Sequence, residues 1–169
     1  MSDRAQGETA LVQFSERLTN SAAFGTLFRE GMDLVEETAA YLDGAGRQDS
    51  KLLSRSAALA YASESMRLTT RLMQVASWLL VQRAVREGDM AAEAALDASY
   101  RLAAEPEHRT VEQPDTLPPP LSTLLDRSER LFERVRHLDS RMYLENTEAA
   151  EPPHPVLAQM ERLKDAFGG

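Results

Sequence analysis

The feature that most limits how this chain can fold is a proline-free stretch over about 50–87, rich in helix-forming residues. One apolar stripe of this stretch repeats at helical spacing and consists of Leu68, Leu72, Val75 and Leu79. Met73 and Leu80 lie about 100° around the helix from that stripe and widen the apolar arc. An arc this wide predicts a central helix that packs against two neighbours, with a break near Arg55 as an alternative to one unbroken helix.

Two further amphipathic segments supply these neighbours. The first is predicted over about 22–43, with Ser21 as its N-cap and Gly31 on its apolar stripe, where another helix can approach closely. The last is predicted over about 119–143, where leucines recur at helical spacing. We therefore predict an all-α fold: an antiparallel three-helix bundle with a long central helix, a short peripheral helix over about 90–103 and a flexible C-terminal tail.

These segments predict a single folded domain with two extensions. The helical bundle occupies 21–146, and an N-terminal extension occupies 1–20. The proline-containing string "ENTEAAEPPHP" is expected to end the last helix and to begin a flexible acidic tail over 147–169. Within that tail, 156–167 has a short amphipathic pattern, and an isolated helix of this length is marginal in water unless it docks.

The distribution of charge argues against a nucleic-acid partner. The formal net charge is −8, and the acidic excess lies in the connector 89–117 and in the tail, whereas a DNA-binding protein presents a basic face. The longest mostly apolar run, 72–81, is half of the roughly 20 residues that a membrane-spanning helix needs. Because the N-terminus lacks an apolar signal-like core, a cytoplasmic location is expected.

The sequence contains no recognisable catalytic or metal-binding pattern. It has no cysteine, which excludes a disulfide scaffold, a thiolate zinc site and a cysteine nucleophile. One Glu-x-x-His match, from Glu105 to His108, lies in the proline-rich connector without the second copy that a di-metal bundle needs. No phosphate-binding glycine loop and no G-x-S-x-G elbow occurs. We therefore predict no enzymatic activity, no metal and no cofactor.

Two arginines of the central helix are open to two interpretations. Arg67 and Arg71 are spaced i, i+4, and like charges at that spacing repel unless acidic groups face them. Either they form salt bridges with acidic residues of the first helix, namely Asp33, Glu36 and Glu37, or they form an anion-facing patch for a partner. The residues we select as candidates for partner binding are Glu36, Glu37, Arg67, Arg71, Arg134, Met160, Leu163 and Phe167.

Two long strings resemble a known bacterial family. "FREGMDLVEETAAYLDGAGR" and "ESMRLTTRLMQVASWLLVQRAVREG" are similar to the family of the regulator of CtrA degradation, RcdA, and "LLDRSERLFERVRHLDSRMY" is similar but less distinctive. These strings cover about two fifths of the chain. The connector 89–117 and the tail 147–169 carry no pattern that matches the family.

The resemblance implies a three-helix bundle that acts without enzymatic activity as an adaptor for the ClpXP protease. Its role would be to help deliver cell-cycle regulators such as CtrA for degradation. The implied partners are a response-regulator-like priming protein, a cyclic-di-GMP effector protein and the protein cargo, and a homodimer is compatible with this role. The alternative function is a homo-oligomeric helical scaffold or interaction module.

Overall fold

The structure is a computed structural model and describes residues 21–103 and 117–150, with side chains as far as Leu144. The predicted N-terminal extension and tail, including Met160, Leu163 and Phe167, lie outside the described residues. In chain order the α-helices are α1 (Ala22–Asp43), α2 (Ala45–Lys51), α3 (Arg55–Glu87), α4 (Ala92–Ala95) and α5 (Pro119–Ala150). A single 3-10 turn spans Ala98–Tyr100, and no strand occurs in these two ranges.

Capping residues explain where the long helices begin and end. The Ser21 hydroxyl accepts a hydrogen bond from the Phe24 amide at 3.1 Å and begins α1, as the sequence predicts. Ser54 begins α3 in the same way. Gly88 ends α3 with a left-handed φ of 80°, a conformation that favours glycine because it has no Cβ.

Residues 52–54 interrupt the predicted central helix, which agrees with the alternative of a break near Arg55. The helix α3 begins at Arg55, and α2 lies mostly before the predicted start near 50. The short helix α2 folds back on α1, where the Tyr41 hydroxyl donates to Asp49 at 3.0 Å. Gly46 permits this approach, since a Cβ at that position would lie 2.8 Å from the Tyr41 carbonyl oxygen of α1. The pKa of Tyr41 is raised well above its ordinary value, mainly by burial and secondly by the hydrogen bond to Asp49. This hydroxyl therefore stays protonated and keeps donating.

The other two predicted boundaries differ from the structure. The segment predicted over about 90–103 forms one turn of α-helix and one 3-10 turn. Its many alanines favour a helix but supply little apolar surface, and short helices depend on packing. The last helix continues to Ala150, beyond the predicted end near 143, because no proline occurs between Leu121 and Ala150.

Apolar side chains from all three long helices meet in one core, which confirms the all-α bundle. Its most deeply buried apolar members are Leu34 of α1, Leu68, Val75 and Leu79 of α3, and Leu121, Leu131 and Val135 of α5. Burial of this apolar surface is the main driving force for the assembly. The wide apolar arc predicted two neighbours for α3, and α3 does pack against both α1 and α5. Only part of the arc is buried in these contacts.

The helix directions are mixed. Arg127 pairs with Glu37 and Arg134 pairs with Glu30, so α5 runs antiparallel to α1. Arg71 contacts Ser128, whereas Trp78, further along α3, contacts Asp139, further along α5. The predicted antiparallel arrangement therefore holds for α1 against both neighbours, whereas α3 and α5 are parallel.

Gly31 lies at the closest approach of α1 to its neighbours, as its position on the apolar stripe predicted. A Cβ at this position would lie 2.5 Å from Leu79 Cδ1 and 3.9 Å from Leu131 Cδ2. Since both leucines are fully buried, neither can move without disturbing the core.

We expect Gly31→Leu to lower the free energy of unfolding by roughly 1–3 kcal/mol, because the added side chain overpacks the core. Urea denaturation followed by circular dichroism measures the change. Gly25→Ala is the matched control on α1, because its new methyl group would meet Arg86 at an ordinary 3.8 Å. Unchanged stability of Gly31→Leu would show that the three helices are not packed this closely.

Candidate functional site

Arg71 is an interior side chain and not a surface one. Its exposed fraction is 1 %, and its Nη1 atom donates to Ser128 Oγ at 2.9 Å and to the Leu125 carbonyl at 3.4 Å. Both acceptors belong to α5. The sequence left two environments open for Arg71: salt bridges with the acidic residues of α1, or a surface patch for a partner. The side chain instead lies in the interior and contacts the last helix.

Arg67 is half-buried and pairs within its own helix. Its Nε and Nη2 atoms donate to Glu64 Oε2 at 2.9 and 2.6 Å. Glu64 is itself buried, so Arg67 compensates the charge of a carboxylate that would otherwise be costly to remove from water. The predicted salt bridges with Asp33, Glu36 or Glu37 are absent from these contacts, although the i, i+3 relation of Glu64 and Arg67 is visible in the sequence.

Two acidic residues of α1, Glu30 and Glu37, face α5 instead. Glu37 pairs with Arg127 at 2.6 Å, and Glu30 pairs with Arg134. All four side chains are substantially exposed, so each pair contributes on the order of 1 kcal/mol or less. Glu36 is also exposed. Glu36, Glu37 and Arg134 are therefore accessible to a partner, and their assignment to partner binding stays a prediction.

Asp139 joins three parts of the bundle. Its Oδ1 atom accepts from the buried Trp78 indole at 3.1 Å, and its Oδ2 atom lies 3.6 Å from Arg101 Nε. The Arg101 guanidinium also lies 3.7 Å from the centre of the Tyr143 ring, within the range of a cation–π contact. Arg101 therefore attaches the segment after α3 to α5, and Trp78 attaches α3 to the same carboxylate.

A groove of about 450 Å³ lies beside this cluster, between α3 and residues 99–103. Met73 and Trp78 line one wall, and Tyr100 and Leu102 line the other. The sequence reasoning identified neither the groove nor the role of Asp139. No sequence signal pairs Trp78 with Asp139, because they lie 61 positions apart.

A row of exposed large apolar residues runs along the side of α3 that faces solvent. We call this surface the α3 outer face and define it by Leu59, Met66, Met73 and Leu80, which are each more than half exposed. Met73 and Leu80 were expected to belong to the packed arc, but within the described part of the chain both are more than half exposed. Their spacing of seven residues is the sequence signal that could have identified the row.

Two classes of site are not found within the described part of the chain. No group of three or more acidic, histidine or cysteine side chains in residues 21–103 and 117–144 is arranged to hold a metal ion. None of the described helices is both long and apolar enough to cross a membrane. The surfaces that this part of the chain presents are a charged α1–α5 face and an apolar α3 outer face.

Comparison with known proteins identifies the family. Residues 15–167 match the family model described as "Protein of unknown function (DUF1465)". The structure is similar to the crystal structure of RcdA from Caulobacter crescentus CB15, with 66 % sequence identity and a TM-score of 0.63. The match covers 74 % of this chain and 94 % of the RcdA chain. No curated protein matches this chain.

We expect Arg71→Ala to lower the free energy of unfolding by about 3 kcal/mol, because it removes a buried charged donor and its packed aliphatic stem. Urea denaturation measures this change. The control Arg134→Ala removes an exposed charge and should change the same quantity by at most about 1 kcal/mol. Equal effects of the two substitutions would contradict the interior position of Arg71.

Asp139→Ala is expected to destabilise the chain by about 1–3 kcal/mol, because it leaves the buried Trp78 indole N–H without its acceptor. Trp78 is the one tryptophan of the chain, so its fluorescence reports directly on this site. The emission maximum should shift to longer wavelength as water reaches the ring. Asp126→Ala, at an exposed position of α5, is the control and should leave the spectrum unchanged.

Proposed function

We propose that this chain, which belongs to the DUF1465 family, is a non-enzymatic adaptor in the regulated degradation of cell-cycle proteins by the ClpXP protease. Its cargo would be response regulators similar to CtrA. The observation that carries this proposal is the 66 % identity to RcdA, a regulator of CtrA degradation, across 94 % of the RcdA chain. At this level of identity the two proteins share the fold over the matched part of the chain.

An adaptor works by holding two proteins close together, so it needs binding surfaces and no catalytic groups. The described residues offer such surfaces on the α1–α5 face and on the α3 outer face. The partners we propose are the ClpXP system, a response-regulator-like priming protein, a cyclic-di-GMP effector protein and the cargo. All of these act in the cytoplasm, which is the location we propose for this chain.

The proposed binding residues fall into four groups by their positions. Glu36, Glu37 and Arg134 are exposed, and Arg67 is half-buried beside Glu64. The buried Arg71 can act only indirectly, by holding α3 against α5. The remaining three residues, Met160, Leu163 and Phe167, lie outside the described residues and share one face of a predicted amphipathic segment.

The proposal is tested by reconstituted degradation of a CtrA-like response regulator with purified ClpXP, the priming protein and the cyclic-di-GMP effector protein. We expect the cargo to disappear faster when this chain is added at equimolar concentration. Leu163→Asp combined with Phe167→Asp should reduce this acceleration, because charged groups at these positions disrupt apolar docking.

Arg136→Ala is the control, since this exposed arginine pairs with the neighbouring Glu133 and is not among the proposed binding residues. It should accelerate degradation as well as the unsubstituted chain does. The adaptor proposal fails if the unsubstituted chain leaves the degradation rate unchanged while every other component is active.

A further inference from the structure

Methionine supplies all the sulfur in this chain, which has seven methionines and no cysteine. Two of them differ from the others in the described residues by their access to solvent. The exposed fraction is 73 % for Met66 and 66 % for Met73, both on α3. Met142 lies in the core with an exposed fraction of 5 %, and Met32 and Met90 are partly buried. An oxidant in solution therefore meets the sulfur atoms of Met66 and Met73 first.

Met66 and Met73 are neighbours on the α3 outer face. They lie about two helical turns apart, so their Cα atoms are separated by roughly 10 Å along the helix axis. Thr70 lies between them, one turn from each, and residues at such positions are neighbours on a helix surface. Every exposed residue of α3 between positions 56 and 82 is uncharged. A polar group added at both sulfur atoms would therefore change this surface more than it would change the charged α1–α5 face.

Peroxides oxidise exposed methionine in a balanced, two-electron step. The sulfur lone pair attacks one oxygen atom of hydrogen peroxide, the O–O bond breaks, a sulfur–oxygen bond forms and water leaves. The sulfur is oxidised and the peroxide is reduced. The product, methionine sulfoxide, is polar and accepts hydrogen bonds. Methionine sulfoxide reductases convert it back to methionine while two thiols become a disulfide and the oxygen leaves as water.

We propose that Met66 and Met73 form a reversible oxidation site through which peroxide lowers the adaptor activity of this chain. Oxidation places two sulfoxide groups in the middle of the α3 outer face and changes it from apolar to polar. The exposed Thr70 is spaced to donate a hydrogen bond from its hydroxyl to either sulfoxide oxygen. The inference rests on the proposed function, because the biological effect of the modification is a loss of adaptor activity.

The exposure of both methionines distinguishes this modification from oxidative damage. A sulfoxide on a side chain that already contacts water leaves the packing of the core unchanged. Oxidation of Met142 would instead place a polar oxygen among buried apolar side chains and destabilise the fold. Oxidation of Met66 and Met73 therefore alters the surface and preserves the bundle, as a reversible control requires.

Peptide mass spectrometry on the full chain, after timed exposure to hydrogen peroxide, measures the oxidation rate of each methionine. We expect Met66 and Met73 to react at least about tenfold faster than Met142, because a buried sulfur reacts only when the core opens. The helical circular dichroism signal should be unchanged when both exposed sites are oxidised. Similar rates at Met142 and at the exposed sites, or loss of the helical signal at that stage, would overturn the proposal.

Reconstituted degradation measures the effect of oxidation on function. The chain is oxidised alone, and catalase removes the peroxide before ClpXP, the cargo and the other components are added, so that no other protein is modified. We expect the acceleration of cargo degradation to fall at least about threefold, because two polar sulfoxides weaken apolar contacts. Methionine sulfoxide reductases of both stereospecificities, supplied with dithiothreitol, should restore it.

Leucine substitutions identify the responsible residues. Met66→Leu combined with Met73→Leu keeps an apolar side chain at both positions and removes the oxidisable sulfur. The measured quantity is the activity after peroxide relative to the activity of the same variant before it, and this variant should lose none.

Met142→Leu is the matched control, because it removes a buried sulfur and keeps both exposed ones. It should lose as much activity on oxidation as the unsubstituted chain does. If the double leucine variant still loses activity, another methionine, such as Met160, is responsible and the proposal is wrong.

This inference and the adaptor proposal fail in distinguishable ways. If the oxidised and unoxidised chains accelerate cargo degradation equally, the adaptor function stands and the oxidation site has no regulatory role. If the unoxidised chain leaves the rate unchanged while every other component is active, the adaptor proposal is wrong and the regulatory inference fails with it, whatever the oxidation rates are.

Discussion

The close contact of α1 with α3 and α5 at Gly31 is the constraint on which the rest of the bundle depends. Because Gly31 has no side chain, Leu79 and Leu131 can both reach the surface of α1. This contact sets the separation of the three helix axes at one level of the core. The buried leucines and valines above and below it then pack at the density of a protein interior.

Polar contacts determine how α5 lies on α3. Apolar side chains tolerate small shifts along a helix, whereas a buried donor must meet a particular acceptor. Arg71 meets Ser128 near the start of α5, and Trp78 meets Asp139 further along. Together these two contacts are compatible with one direction and one register of α5. Asp139 also holds Arg101, so the same side chain positions the segment that follows α3.

The family relation and the surface of the bundle agree on a binding role. An adaptor needs accessible faces of distinct chemistry, and the described residues present a charged face along α1 and α5 and an uncharged face along α3. On the charged face, Glu37 already pairs with Arg127 and Glu30 with Arg134. Within residues 21–103 and 117–144, the large apolar side chains of the α3 outer face stay more than half exposed.

The amino-acid sequence by itself determined the helical character of the chain, the cap at Ser21, the glycine that ends α3 and the close approach at Gly31. These features follow from local spacing and from the conformational properties of single residues, which can be recognised in the amino-acid sequence. Only the tertiary structure decided that α5 runs parallel to α3, that Arg71 is buried and that Met73 and Leu80 are exposed. The physical reason is that helical periodicity places side chains on a face but does not say which face another helix will cover. That choice depends on contacts between residues more than 50 positions apart, such as Arg71 with Ser128 and Trp78 with Asp139.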